Sequence, residues 1–85
     1  MELVFKDPAL EDREYFKASG NKVIQTRIKE LIEDTLEHPY FGKGKPEPLK
    51  YQLAGCWSRR ITEEHRMVYQ VVNNQLHIIS LRGHY

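Results

Sequence analysis

Between Asn21 and Pro39, Val23, Ile24, Ile28, Leu31, Ile32 and Leu36 recur at helical spacing on one face, with Thr35 among them. Lys22, Lys29, Glu30, Glu33 and Glu37 occupy the remaining positions. Pro39 ends the pattern, because the residue before a proline is pushed out of the helical region. A helix with a single apolar stripe has to lay that stripe on another layer of structure. The chain has 85 residues, which is room for one domain, residues 1–85, with one modest core. The segments around this helix therefore have to supply its partner surface.

ELVFK (2–6) alternates and reads as a short strand. Asp7-Pro8 then reads as an N-cap with proline at the first helical position, opening a helix that runs to about Ser19 and stops at Gly20. Asn21 is a suitable cap for the second helix. YFGKGKPEPLK (40–50), with two glycines and two prolines, reads as a loop. Beyond it YQLAG, CWSRRIT, HRMVYQVV and QLHIISLR read as strands, with turns at Glu63-Glu64 and Asn73-Asn74. The expected architecture is α+β: an antiparallel β-sheet with two N-terminal helices packed on one face, in the order β-α-α-β-β-β.

Apolar residues make up 40% and charged residues 29% of the chain, a composition that argues against disorder. The single cysteine, Cys56, cannot form an internal disulfide, and it reads as a packing residue rather than a nucleophile. No apolar run approaches the roughly 18 residues of a membrane span, and no signal peptide is recognisable. The expected setting is therefore cytoplasmic, with no membrane partner. Four histidines show no metal-ligand spacing, so neither a metal nor a cofactor is expected. GKGK (42–45) lacks the spacing of a phosphate-binding P-loop. The net charge of +1 is shared unevenly: nine acids and six bases in residues 1–41, three acids and seven bases in residues 42–85. Such asymmetry fits a polyanionic partner, and it also occurs by chance in small domains.

Strand parity sorts the later residues onto two faces. Trp57, Ile61, Met67, Tyr69, Val71, Ile79 and Leu81 form an apolar set that should meet the helices. By the same parity His77 reads as structural, and Arg59 breaks the pattern, as an edge residue that snorkels would. Ser58, Arg60, Thr62, Arg66, Val68, Gln70, Ser80, Arg82 and His84 form the opposite set, whose charged members apart from the histidine are all arginine. That is either an ordinary solvated face or a surface for a nucleic acid backbone, since the guanidinium fork suits phosphate. His84 has an unperturbed pKa of about 6.5, suited to proton transfer. Glu47, between Pro46 and Pro48, is a carboxylate on a restricted backbone. A carboxylate, an imidazole and several cations suffice to cleave RNA through its 2′-hydroxyl. Tyr85 is either a base-stacking group or edge packing.

FGKGKPEPLK (41–50), WSRRITEEHRMVY (57–69) and RGHY (82–85) closely resemble the YoeB toxins of the wider RelE/ParE-like toxin–antitoxin group, and the likeness runs along the whole chain, including LIEDTLEHP. The resemblance implies a ribosome-dependent endoribonuclease that cuts mRNA in the A site of the 70S ribosome. It implies Glu47 as general base, His84 as general acid, Arg66 as stabiliser of the pentavalent phosphate and Tyr85 as a positioning group. Lys50 and Arg60 follow as phosphate contacts, with Lys43, Lys45 and Arg82 as further RNA contacts. The implied partners are a cognate YefM-like antitoxin and, only through the antitoxin complex, operator DNA; a homodimer remains open. Many members carry a tyrosine where this chain has Gly83, and glycine loosens a strand. The competing reading is a protein of the same fold that does not cleave: a ParE-like toxin, or a module that binds RNA or protein.

Overall fold

A computed structural model describes residues 1–83. Its elements are β1 (Glu2–Phe5), α1 (Asp7–Ala18), α2 (Lys22–Glu37), β2 (Glu47–Pro48), β3 (Trp57–Arg60), β4 (Arg66–Val72) and β5 (Gln75–Gly83), with a one-turn 3-10 helix at Tyr51–Leu53. The expected α+β layering holds. Both helices lie on one face of a five-stranded sheet of order β1-β5-β4-β3-β2. The sheet is mixed rather than wholly antiparallel. β2, β3, β4 and β5 run antiparallel in sequence, but β1 joins the far edge parallel to β5, pairing Leu3 with Leu76 and Phe5 with Ile78. Two helices separate β1 from the rest of the sheet, so no hairpin dictates its direction.

Asn21 caps α2 as expected, its Oδ1 accepting the Ile24 N–H at 3.1 Å. Ile28, Leu31, Ile32 and Thr35 are buried on the inner face, and Thr35 returns its hydroxyl to the Leu31 carbonyl at 2.6 Å. Val23 is 80% exposed and does not join the stripe, whereas its neighbour Ile24 packs against the core. The cap of α1 is Lys6 rather than Asp7, with no side-chain cap bond. The core joins Ala9, Phe16, Ile28, Leu31 and Ile32 of the helices to Met67, Tyr69, Leu76, Ile78 and Leu81 of the sheet. Each fully buried aliphatic side chain in it contributes about 1.5–3 kcal/mol.

Two expectations about the strands fail. YQLAG does not form a strand: Tyr51 has φ 58° and Gly55 φ 93°, and Leu53 and Ala54 donate back to the Lys50 and Tyr51 carbonyls. Five residues of alternation are too short a signal against a turn that ends in glycine. The parity of β5 also breaks. Tyr69 pairs with Ile78 while Val68 pairs with Ser80, so Ile79 is an extra residue in the ladder; a second irregularity lies between Val68 and Arg66, which pairs with Gly83. Leu76, Ile78 and Leu81 therefore face the core. His77, which pairs with Gln70, lies on the opposite face and not on the apolar one. The irregular backbone is secured from α1, where Asp12 Oδ2 accepts the Leu81 N–H at 2.8 Å. Among the described residues no helix is long and apolar enough to cross a membrane.

Candidate active site

The face of the sheet turned away from the helices is built by register. Glu47 of β2 pairs with Ser58 of β3, Ser58 with Val68 of β4, and Val68 with Ser80 of β5. One step along, Arg60 pairs with Arg66, and Arg66 with Gly83. Directly opposed residues share a face, so Glu47, Arg60 and Arg66 stand on the same side of the sheet. The Glu47 carboxylate and the Arg66 guanidinium meet diagonally: Oε1 lies 3.7 Å from Nη1. The glutamate side chain is 59% exposed and the arginine 19%. A single long contact of this kind is screened by water and adds little stability. Its two members remain accessible, one able to take a proton and the other able to balance negative charge.

Glu47 is held out by its local sequence. Pro46 and Pro48 restrict the backbone on both sides, and β2 is only two residues long. On its C-terminal side Leu49 N–H donates to the Cys56 carbonyl at 2.9 Å, closing the turn that contains the 3-10 helix. On its N-terminal side the loop is fixed by Arg59. This side chain is 0% exposed, so it does not snorkel at an edge as its parity suggested. Nη1 donates to Asp34 Oδ2 at 2.6 Å and to the Lys43 carbonyl at 3.1 Å; Nη2 donates to the Phe41 carbonyl at 2.9 Å and to that of His38; Nε donates to the Tyr69 hydroxyl at 3.2 Å. Tyr69 in turn donates to the Pro39 carbonyl at 2.6 Å. The Lys43 N–H on Asp34, followed by the Arg59 guanidinium, holds the Asp34 carboxyl below its usual range. Burial pushes the Tyr69 phenol and the Cys56 thiol upward, which leaves Cys56 a poor nucleophile.

The other expected site residues divide. Lys50 is exposed at the start of the turn after β2, and Arg60 is half-buried, with its N–H on the Gly44 carbonyl at 2.7 Å. Lys45 is exposed with φ 51°. Lys43 is not on the Glu47 face: its Nζ lies 3.7 Å from Glu30 Oε2 of α2, because the Arg59 bonds turn residue 43 toward that helix. Arg82 is also displaced. The extra residues in β5 shift its parity, and its guanidinium sits 3.5 Å from the ring centre of Tyr15 on α1. His84 and Tyr85 lie outside the described residues; the described chain runs to Gly83, the ladder partner of Arg66. Sequence reading missed the Asp34–Arg59–Tyr69 cluster. The available signal was Arg59 itself, a charge on an apolar parity, with Asp34 near Leu31 and Thr35 as a partly buried carboxylate to meet it. Among the described residues no three His, Cys, Asp or Glu side chains come together as a metal site requires.

The family model for the YoeB-like toxin of bacterial type II toxin–antitoxin systems matches residues 5–85. The chain belongs to the YoeB-like toxin family. Toxin YoeB of Escherichia coli K12 is 47% identical over 85 residues, covering 100% of both chains. The YoeB/ParE toxin from Agrobacterium tumefaciens superposes with a TM-score of 0.95 at 41% identity, again over 100% of both chains. The toxin in a YoeB-YefM complex from Staphylococcus aureus superposes with a TM-score of 0.89 at 41% identity, covering 100% of this chain and 98% of that one. Membership makes this chain a toxin of a type II toxin–antitoxin system.

Proposed function

We propose that this toxin is an endoribonuclease that cuts mRNA in the A site of the 70S ribosome by acid–base catalysis. The observation that carries the reading is the 3.7 Å approach of an exposed carboxylate, Glu47, to the Arg66 guanidinium on the open face of the sheet. Glu47 removes the proton from a ribose 2′-hydroxyl. The freed oxygen attacks the adjacent phosphorus, and Arg66 stabilises the charge that gathers on the phosphoryl oxygens. His84 donates a proton to the departing 5′-oxygen, leaving a 2′,3′-cyclic phosphate and a 5′-hydroxyl. Tyr85 positions the substrate, and Lys50, Lys45 and Arg60 contact the backbone. A YefM-like antitoxin is the proposed partner, by likeness to the Staphylococcus aureus complex; operator DNA is reached only through it. The setting is the cytoplasm.

The test is primer extension on mRNA from programmed ribosomes incubated with the toxin. Discrete stops within the A-site codon are expected, and they should vanish in Glu47→Ala and His84→Ala. Translation arrest with intact mRNA would replace the nuclease with a toxin that acts by binding.

A further inference from the structure

A guanidinium carries five N–H donors, and all five of Arg59 are used at once. Three of the acceptors are backbone carbonyls of one short segment: His38, Phe41 and Lys43. Between them Tyr69 holds the Pro39 carbonyl, Asp34 holds the Lys43 N–H, and the Arg60 N–H holds the Gly44 carbonyl. The segment passes close to its anchors. A Cβ on Gly42 would stand 2.2 Å from Asp34 Oδ2, and one on Gly44 would stand 2.9 Å from Leu31 Cδ2 and 3.1 Å from the Arg60 carbonyl oxygen. Three residues after Gly44 comes Glu47. A buried charge is costly unless every donor is matched, and an apolar residue would fill the space more simply. What the arginine adds is geometry: a rigid planar fork that fixes three carbonyls of the loop against β3 and β4.

We propose that Arg59 is a positioning residue for the cleavage reaction, holding the residue 38–44 loop so that the Glu47 carboxylate stands beside Arg66. The proposal rests on Glu47 as the base. Arg59 meets no substrate; it acts through the loop. Lysine in its place keeps the charge near Asp34, but with three donors on a point charge it cannot span Tyr69, Asp34 and three carbonyls together.

The test compares Arg59→Lys and Tyr69→Phe, each in the full chain, in the native background and with Glu47→Gln. Two quantities are read: single-turnover mRNA cleavage on programmed ribosomes, and amide hydrogen exchange by residue. Both substitutions should speed exchange across residues 38–47 while leaving α1 and the β4–β5 ladder protected. Both should lower the cleavage rate by about 10- to 100-fold, the scale of a misplaced catalytic group. With Glu47→Gln already present, the same substitutions should change the residual rate less than about twofold, because the group they position is gone. Equal losses in the two backgrounds would overturn the proposal, as would exchange that quickens throughout the fold, or full cleavage despite a loosened loop. Should Arg59→Lys not fold, Tyr69→Phe carries the test, since it removes a single hydroxyl. A Glu47→Gln toxin that cleaves at the native rate sinks the base assignment first, and this proposal with it.

Discussion

Two carboxylate–guanidinium pairs lie close together along the chain and differ in almost every respect. Asp34 and Arg59 meet at 2.6 Å beneath the loop, with every arginine donor matched. Glu47 and Arg66 meet at 3.7 Å on the open face, with the glutamate mostly exposed. The first pair is closed to any newcomer, so its charges belong to the fold. The second is a single longer contact with the glutamate largely in solvent, so its charges are not locked into the fold as those of the first are. Similar functional groups are thus fixed or left open according to how completely their hydrogen bonds are used up.

The largest effect should come from breaking the closed pair. Arg59→Met leaves Asp34 and three carbonyls without their donor and should cost about 3–5 kcal/mol, read as a lower urea midpoint. The next effect belongs to the open pair and appears in activity. Arg66→Ala should slow mRNA cleavage by about 100- to 1,000-fold, the usual loss when one charge-stabilising donor is removed. Its urea midpoint should stay near that of the native toxin; a marked fall there would erase the contrast between the two pairs.

Acid should act on the closed pair. Because Asp34 titrates below its usual 3.8, folding gains stability from it above that value and loses this as pH falls through the lowered native value. Urea unfolding at pH 7 and pH 3 should show the loss, and Asp34→Asn should flatten the difference while lowering stability at pH 7. The smallest effect is on the open pair's contribution to the fold. Glu47→Gln should shift stability by less than about 0.5 kcal/mol, as for other exposed ion pairs.

The open face was largely legible in the sequence, and the closed pair was not. The spacing of Ile28, Leu31 and Ile32 located α2, whereas Glu47, in a segment that reads as loop, stands in the two-residue strand β2, exposed as expected but paired with Ser58. Strand parity correctly set Arg60 and Arg66 on one face, because β3 and β4 pair without slippage up to Trp57–Tyr69. Parity failed at His77 because of the bulge at Ile79, and at Arg82 because of the second register shift between Ser80 and Gly83; both are invisible to a rule that counts by twos. It also failed to explain Arg59, whose partners lie 10 to 25 residues away in the chain at Tyr69, Lys43, Phe41, His38 and Asp34. Local pattern reports which way a side chain points; it does not report what distant backbone waits there.

The pairing of β1 with β5 bears on how the toxin comes into being. β5 joins β1, α1 and β4, so the N-terminal strand has no neighbour to pair with until residues 75–83 exist. Leu3 and Phe5 stay unpaired until those residues have been made. Arg66 likewise lacks its Gly83 neighbour over that interval. β5 is thus the strand that ties the N-terminal segment to the other strands, and a pairing across so much intervening chain is slow to form, because the loop has to close before the contact stabilises it.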